Sequence, residues 1–111
     1  MQNNHDITIE IEDINYAIDT EGKISGYSNT ISIKDCISDL KNNISEDDFK
    51  NAKNIILIFH MNQNIELQIL REIMEFIDKV ANINADIVFG TNTKNNLDTS
   101  MIGYRILLTG I

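Results

Sequence analysis

The sequence predicts an α+β fold: a mixed β-sheet of about four strands with two helices packed on one face. Three observations carry this. Residues 55–59 form a continuous apolar run, as in a central strand covered on both faces. Residues 65–81 carry a wide apolar stripe at helical spacing. Strand-like stretches at 86–90 and 101–109 flank a polar loop. A chain of 111 residues is the size of one domain, and 42% hydrophobic with 23% charged residues suits a globular one. Residues 1–111 are therefore read as a single domain, with 1–20 an extended segment and short helix and 21–111 the α+β core.

Ile7, Ile9 and Ile11 alternate with Thr8, Glu10 and Glu12, the period of an extended segment with one buried face. Ile14, Ala17 and Ile18 are spaced like one helical turn, so 13–18 reads as a short helix with a strand as the competing reading. Gly22 marks a turn, and 23–30 reads as a strand weakened by Gly26. Ile33, Ile37, Leu40 and Ile44 then share one helix face, with Ser32 as N-cap and Asp35 at the capping-box position. Residues 45–54 are polar and read as a connection, with Phe49 as its anchor into the core. After the strand at 55–59, residues 60–64 read as a loop. In the helix at 65–81, Ile69, Leu70, Ile73, Phe76, Ile77, Val80 and Ala81 oppose Glu66, Arg71, Glu72, Glu75, Asp78 and Lys79. Residues 92–100 read as a polar, hairpin-like loop that leads into the last strand.

The formal net charge is -8, a poor match to a phosphate backbone or an anionic membrane surface. No nucleic-acid or membrane partner is expected. A single cysteine, Cys36, excludes an internal disulfide framework. The first residues, MQNNHD, lack an apolar segment, and the chain reads as cytoplasmic.

The chemical motifs are few. No phosphate loop of the GxxxxGK[ST] or GxGxxG type occurs, nor HExxH, CxxC or GxSxG. No cofactor, metal or catalytic residue is expected. His5 and His60 have no neighbours at metal-ligand spacing. His60 ends a buried strand and reads as a satisfied or solvated residue, with a site role as the alternative. Cys36 reads as an inert, half-buried thiol; a nucleophile would need a nearby His and electropositive surroundings. Arg71 and Arg105 are the arginines, and strand alternation turns Arg105 away from the face of Tyr104 and Ile106.

The last third carries a family resemblance. Ala85-Asp86-Ile87-Val88-Phe89-Gly90-Thr91, a polar loop, and Tyr104-Arg105-Ile106-Leu107-Leu108-Thr109-Gly110-Ile111 resemble the end of the C-terminal domain of FtsZ, the bacterial tubulin homologue. That family has a pattern like A-N-I-I-F-G, a loop, and V-T-V-I-A-T-G-F. The strand at 55–59, Ile65-Glu66-Leu67 and the following helix look like the family's strand, D-L-x-L and helix, so the resemblance covers most of 54–111. Upstream, 22–30 and the helix after Ser32 can be laid on the family's next strand and helix. Thr8-Ile9-Glu10-Ile11-Glu12-Asp13 lies where the family has N-x-D-x-x-D, a loop whose acids reach the next subunit's nucleotide. The resemblance thus makes Glu10 and Asp13 candidate partner contacts, with an ordinary acidic edge as the other reading. Departures are plain: the family's G-G-G-T-G-[ST]-G loop is absent, and His60-Met61-Asn62 lacks its paired glycines. The chain reads as a stand-alone relative, which Met1 favours, or as a piece of a longer one.

The resemblance implies an FtsZ C-terminal-domain-like sandwich and a non-enzymatic interaction or assembly module. Its expected partner is FtsZ, another GTPase-domain protein or a second copy. The expected contact edges are 7–13 and the last strand, 101–109. One alternative is a small-molecule-binding regulatory domain of ferredoxin-like type. Another is a chorismate-mutase-like enzyme, which needs Arg71 and Arg105 at one cavity, with Tyr104 or Tyr27 as donors.

Overall fold

The computed structural model describes residues 21–111 together with Asn15, which is helical and exposed. The remaining residues of 1–20, with the expected extended segment, short helix, Glu10 and Asp13, lie outside the described residues. The core begins with strand β1 (Ser25–Ser32). A 3-10 turn (Ile33–Asp35) leads into α1 (Cys36–Asn43), followed by α2 (Glu46–Asn51) and β2 (Asn54–Met61). Helix α3 (Leu67–Val80), β3 (Asp86–Thr93) and β4 (Met101–Thr109) complete it. The sheet is four-stranded and mixed, in the order β1-β4-β2-β3. β4 runs antiparallel to both β1 and β2, and β2 pairs with β3 in parallel through the α3 crossover. The α+β fold with a mixed four-stranded sheet is thus as the sequence predicts.

Alternation along the strands divides the sheet into two faces. Ile55, Leu57, Phe59 and Met61 of β2 and Ile102, Tyr104, Ile106 and Leu108 of β4 point into one core with Leu40, Phe49, Leu70, Ile73 and Ile77 of the helices. Leu57 pairs with Ile106 and Phe59 with Tyr104, so the two central strands present matched apolar rows to the helix layer. The opposite face carries Ile56, Ile58 and His60 of β2 and Gly103, Arg105 and Leu107 of β4.

Several local expectations are corrected. The connection at 45–54 contains α2, where Ser45 caps: its Oγ accepts from the Asp48 N–H at 3.1 Å. Glu46, Asp47 and Asp48 fill the first turn, where carboxylates favour the helix dipole. A six-residue helix is too short to show periodicity, but Ser followed by three acids is a start signal. Phe49 does anchor it, at 1% exposure. Ser32 makes no cap bond, because it ends β1 and the chain turns through the 3-10 segment first. The Ile33 N–H donates instead to the Ser100 carbonyl at 2.9 Å. Within residues 21–111 the α-helices are therefore three rather than two.

The last strand is not an edge. β4 lies between β1 and β2, and β3 and β4 form no hairpin because β2 separates them. Loop 94–100 carries the chain over the end of β2, and Asn62 pins it there. The Asn62 Nδ2 donates to the Leu97 carbonyl at 3.0 Å, and the Lys94 N–H donates to the Met61 carbonyl at 2.7 Å. At the other end of the sheet, Lys23 and Ile111 exchange backbone hydrogen bonds at 3.2 and 3.1 Å. That closure needs Gly22, whose φ is +123° and whose added Cβ would lie 2.9 Å from the Gly110 backbone.

Candidate functional site

Strand β4 supplies side chains to two polar groupings, one on each face. On the helix face Tyr104, 1% exposed, donates its hydroxyl to Asp39 Oδ2 on α1. Asn29 on β1 donates to the same oxygen at 3.0 Å, and the Tyr27 ring lies 6.0 Å from that of Tyr104. Burial pushes the Asp39 carboxyl up, but the donors Tyr104, Asn29 and Tyr27 outweigh it and leave it below the ordinary value. Burial and the bond to Asp39 push the Tyr104 phenol far up, so it remains a donor. These groups tie α1 to β1 and β4. The grouping reads as structural, with Asn29 and Tyr104 holding the Asp39 carboxylate between α1 and the sheet.

The opposite face is different. Thr30, Gly103 and His60 lie side by side on β1, β4 and β2, and the next rung holds Ser28, Arg105 and Ile58. Apart from Ile58, these residues line an open cleft of about 470 Å³ with Lys94, Asn96 and Leu97 from the loop after β3. Gly103 keeps a negative φ, so its requirement is space: an added Cβ would sit 3.2 Å from His60 Cβ and 3.3 Å from Thr30 Oγ1. Both ring nitrogens of His60 are shielded from solvent and have no hydrogen-bond partner. Burial, then Arg105, then Lys94 push its pKa down, so the ring is neutral near pH 7.

The sequence expected a satisfied or solvated His60, and the ring is neither. A lone His at a strand end offers no signal for this; it depends on the loop after β3 and on Gly103. Arg105 is exposed and faces away from Tyr104 and Ile106, as alternation predicts. Cys36 is fully buried rather than half-buried, and burial, then Asp39, push its thiol up to about 12, so it is inert at neutral pH. Arg71 lies on α3 beside Leu67 and Met74, away from the cleft of Arg105. Tyr27 and Tyr104 both engage Asp39. The arrangement a chorismate-mutase-like enzyme would need is therefore not formed within one chain. Among the described residues no three His, Cys, Asp or Glu side chains group as metal ligands, and no helix is long and apolar enough to cross a membrane.

No protein-family model matches this sequence, and no curated protein does. Solved structures do. An empty FtsZ dimer from M. jannaschii matches with a TM-score of 0.74 at 18% identity, over 94% of this chain and 32% of that one. A point mutant of FtsZ from the same organism gives a TM-score of 0.75 at 18% identity, over 95% and 33%. The chain spans about a third of the length of these structures. At that identity the likeness is one of fold, and the fold of this chain is that of an FtsZ C-terminal-like domain.

Proposed function

We propose that this chain is a non-enzymatic interaction module that acts in the cytoplasm, in cell division or filament assembly. The observation that carries the reading is the match of nearly the whole chain to part of FtsZ, in a sequence without a phosphate loop. Its partner is FtsZ, another GTPase-domain protein or a second copy of the chain. Glu10 and Asp13 are the contact acids in this reading, by their position in the stretch that resembles the family's acidic loop. Acidic contacts of that kind would steer association and make it salt-sensitive.

The test is co-sedimentation of the full chain with GTP-assembled FtsZ from the same cell, with light scattering to follow assembly. Pelleting with polymer, or altered scattering, supports the reading. Replacement of Glu10 and Asp13 by Ala should then weaken association while the thermal melt stays unchanged. A chain that stays in the supernatant, leaves assembly unchanged and is monomeric sinks the proposal.

A further inference from the structure

We propose that the cleft between His60, Lys94 and Arg105 binds a phosphate group carried by a small polar ligand. The proposal goes beyond the assembly reading and does not depend on it. Three independent features point to the site: an orphaned imidazole, two cations with no acid beside them among the described residues, and a floor cleared of side chain.

A neutral imidazole carries one donor and one acceptor, and buried polar atoms in native proteins nearly always have partners. Both His60 nitrogens lack one. They belong to a ring that lines a cleft, so a bound group can supply the missing acceptor once the ring turns toward it. The charged groups that shift His60 are Arg105 and Lys94, with no carboxylate among them. On the sheet, Arg105 is flanked by Ser28 and Ile58 across the strands and by Gly103 and Leu107 along its own. None is acidic. Among the described residues the ion pairs are Lys23–Asp48 and Lys50–Glu46, and neither uses Arg105 or Lys94. In a chain with 17 acids against 9 bases, two cations beside one cleft with no facing acid among the described residues form a local field for an anion.

Gly103 supplies the room. Any side chain there would press on His60 and Thr30, so the strand keeps a bare floor between the hydroxyl of Thr30 and the imidazole. An Arg fork, a Lys point charge, an imidazole N–H and the hydroxyls of Ser28 and Thr30 form a donor set suited to phosphate. A cleft of about 470 Å³ is in the size range of small-molecule sites and exceeds what inorganic phosphate needs. Asn96 and Leu97 line the space left for the body of the ligand.

The test is titration of the full 15N-labelled chain with ribose 5-phosphate, inorganic phosphate and ribose, read by NMR at the His60 ring and the Gly103 and Lys94 amides. Saturable shifts with ribose 5-phosphate below about 10 mM, and none with ribose, support the proposal. Inorganic phosphate binding at least as tightly also supports the site and identifies free phosphate as its source. Arg105→Gln and Lys94→Gln should each weaken binding by roughly tenfold, since each removes a charged contact. Arg71→Gln, on the helix layer away from the cleft, should leave it unchanged. Both cleft variants alter exposed side chains, so each is expected to fold, and a matching thermal melt verifies it. No saturable shift with either phosphate, equal binding of ribose, or equal affinity in Arg105→Gln overturns the proposal.

Discussion

Tyr104→Phe separates the polar tie between α1 and the sheet from the apolar core around it. Phe keeps the ring and its packing, so no cavity larger than one oxygen forms. What is lost is a hydroxyl that donates to the Asp39 carboxylate. A hydrogen bond to a charged acceptor contributes about 1.5–3 kcal/mol, and the half-buried position of Asp39 puts this one at the lower end. The expected loss is therefore about 1.5 kcal/mol, or a Tm lower by roughly 7 °C for a domain of this size. Urea melts of the wild type, Tyr104→Phe, Asp39→Ala and the double variant measure it. The double variant should be more stable than additivity predicts, by about 1 kcal/mol.

The same pair has a pH signature. The native Asp39 carboxyl lies below its ordinary value, so its contribution is present above about pH 4 and is lost as pH falls through the native value. The gap between wild type and Tyr104→Phe should be widest at neutral pH and narrow in acid. A loss below about 0.5 kcal/mol, additive effects of the two substitutions, or a gap that never narrows as the pH falls below about 4 would refute the argument.

Other predictions follow from single observations. Ser45→Ala removes the cap of α2 and should cost about 1 kcal/mol in a urea melt. Gly22→Ala forces a Cβ into a positive-φ residue and against the Gly110 backbone; about 2 kcal/mol or more of lost stability should appear in the same assay. Cys36 should react with a thiol reagent only as fast as the protein opens, since the thiol is buried and pushed up to about 12. The native His60 lies below its ordinary value, so its stability contribution is full above about pH 6.5 and is lost as pH falls through the native value. His60→Gln should flatten that part of the stability curve, as read by melts between pH 7 and pH 5.

The elements that sequence reasoning finds are those whose pattern is local. The run at 55–59 and the stripe at 65–81 become β2 and α3, and strand 101–109 becomes β4 with the expected ends. Of that stripe, Leu70, Ile73 and Ile77 are buried and seal α3 against the sheet, while Leu67, outside the stripe, is 74% exposed. What is not local is lost. Whether β4 lies at an edge or in the middle depends on pairing with Tyr27 and Leu57, distant in sequence. Helix α2 lacks the length for periodicity and was legible only in its cap. The cleft follows the same rule, since Arg105 is placed on the correct face by alternation, whereas its meeting with His60 and Lys94 requires the strand order and Asn62 holding the loop.

The alternation that places these residues also separates stability from recognition. Along β4, Ile102, Tyr104, Ile106 and Leu108 enter the core while Gly103, Arg105 and Leu107 face the other way. A register slip of one residue would drive Arg105 under the helices and expose Tyr104, so the buried face enforces the cleft's geometry without contacting its contents. Residues on the cleft face can then change without a cavity opening in the core. The steric limit is Gly103, whose missing side chain brings Thr30 and His60 together across β4. A strand selected for packing alone has no reason to hold glycine in its interior, because glycine weakens it there. Its position beside an orphaned imidazole, and beside an arginine with no ion pair among the described residues, ties that local weakness to the space a ligand would occupy.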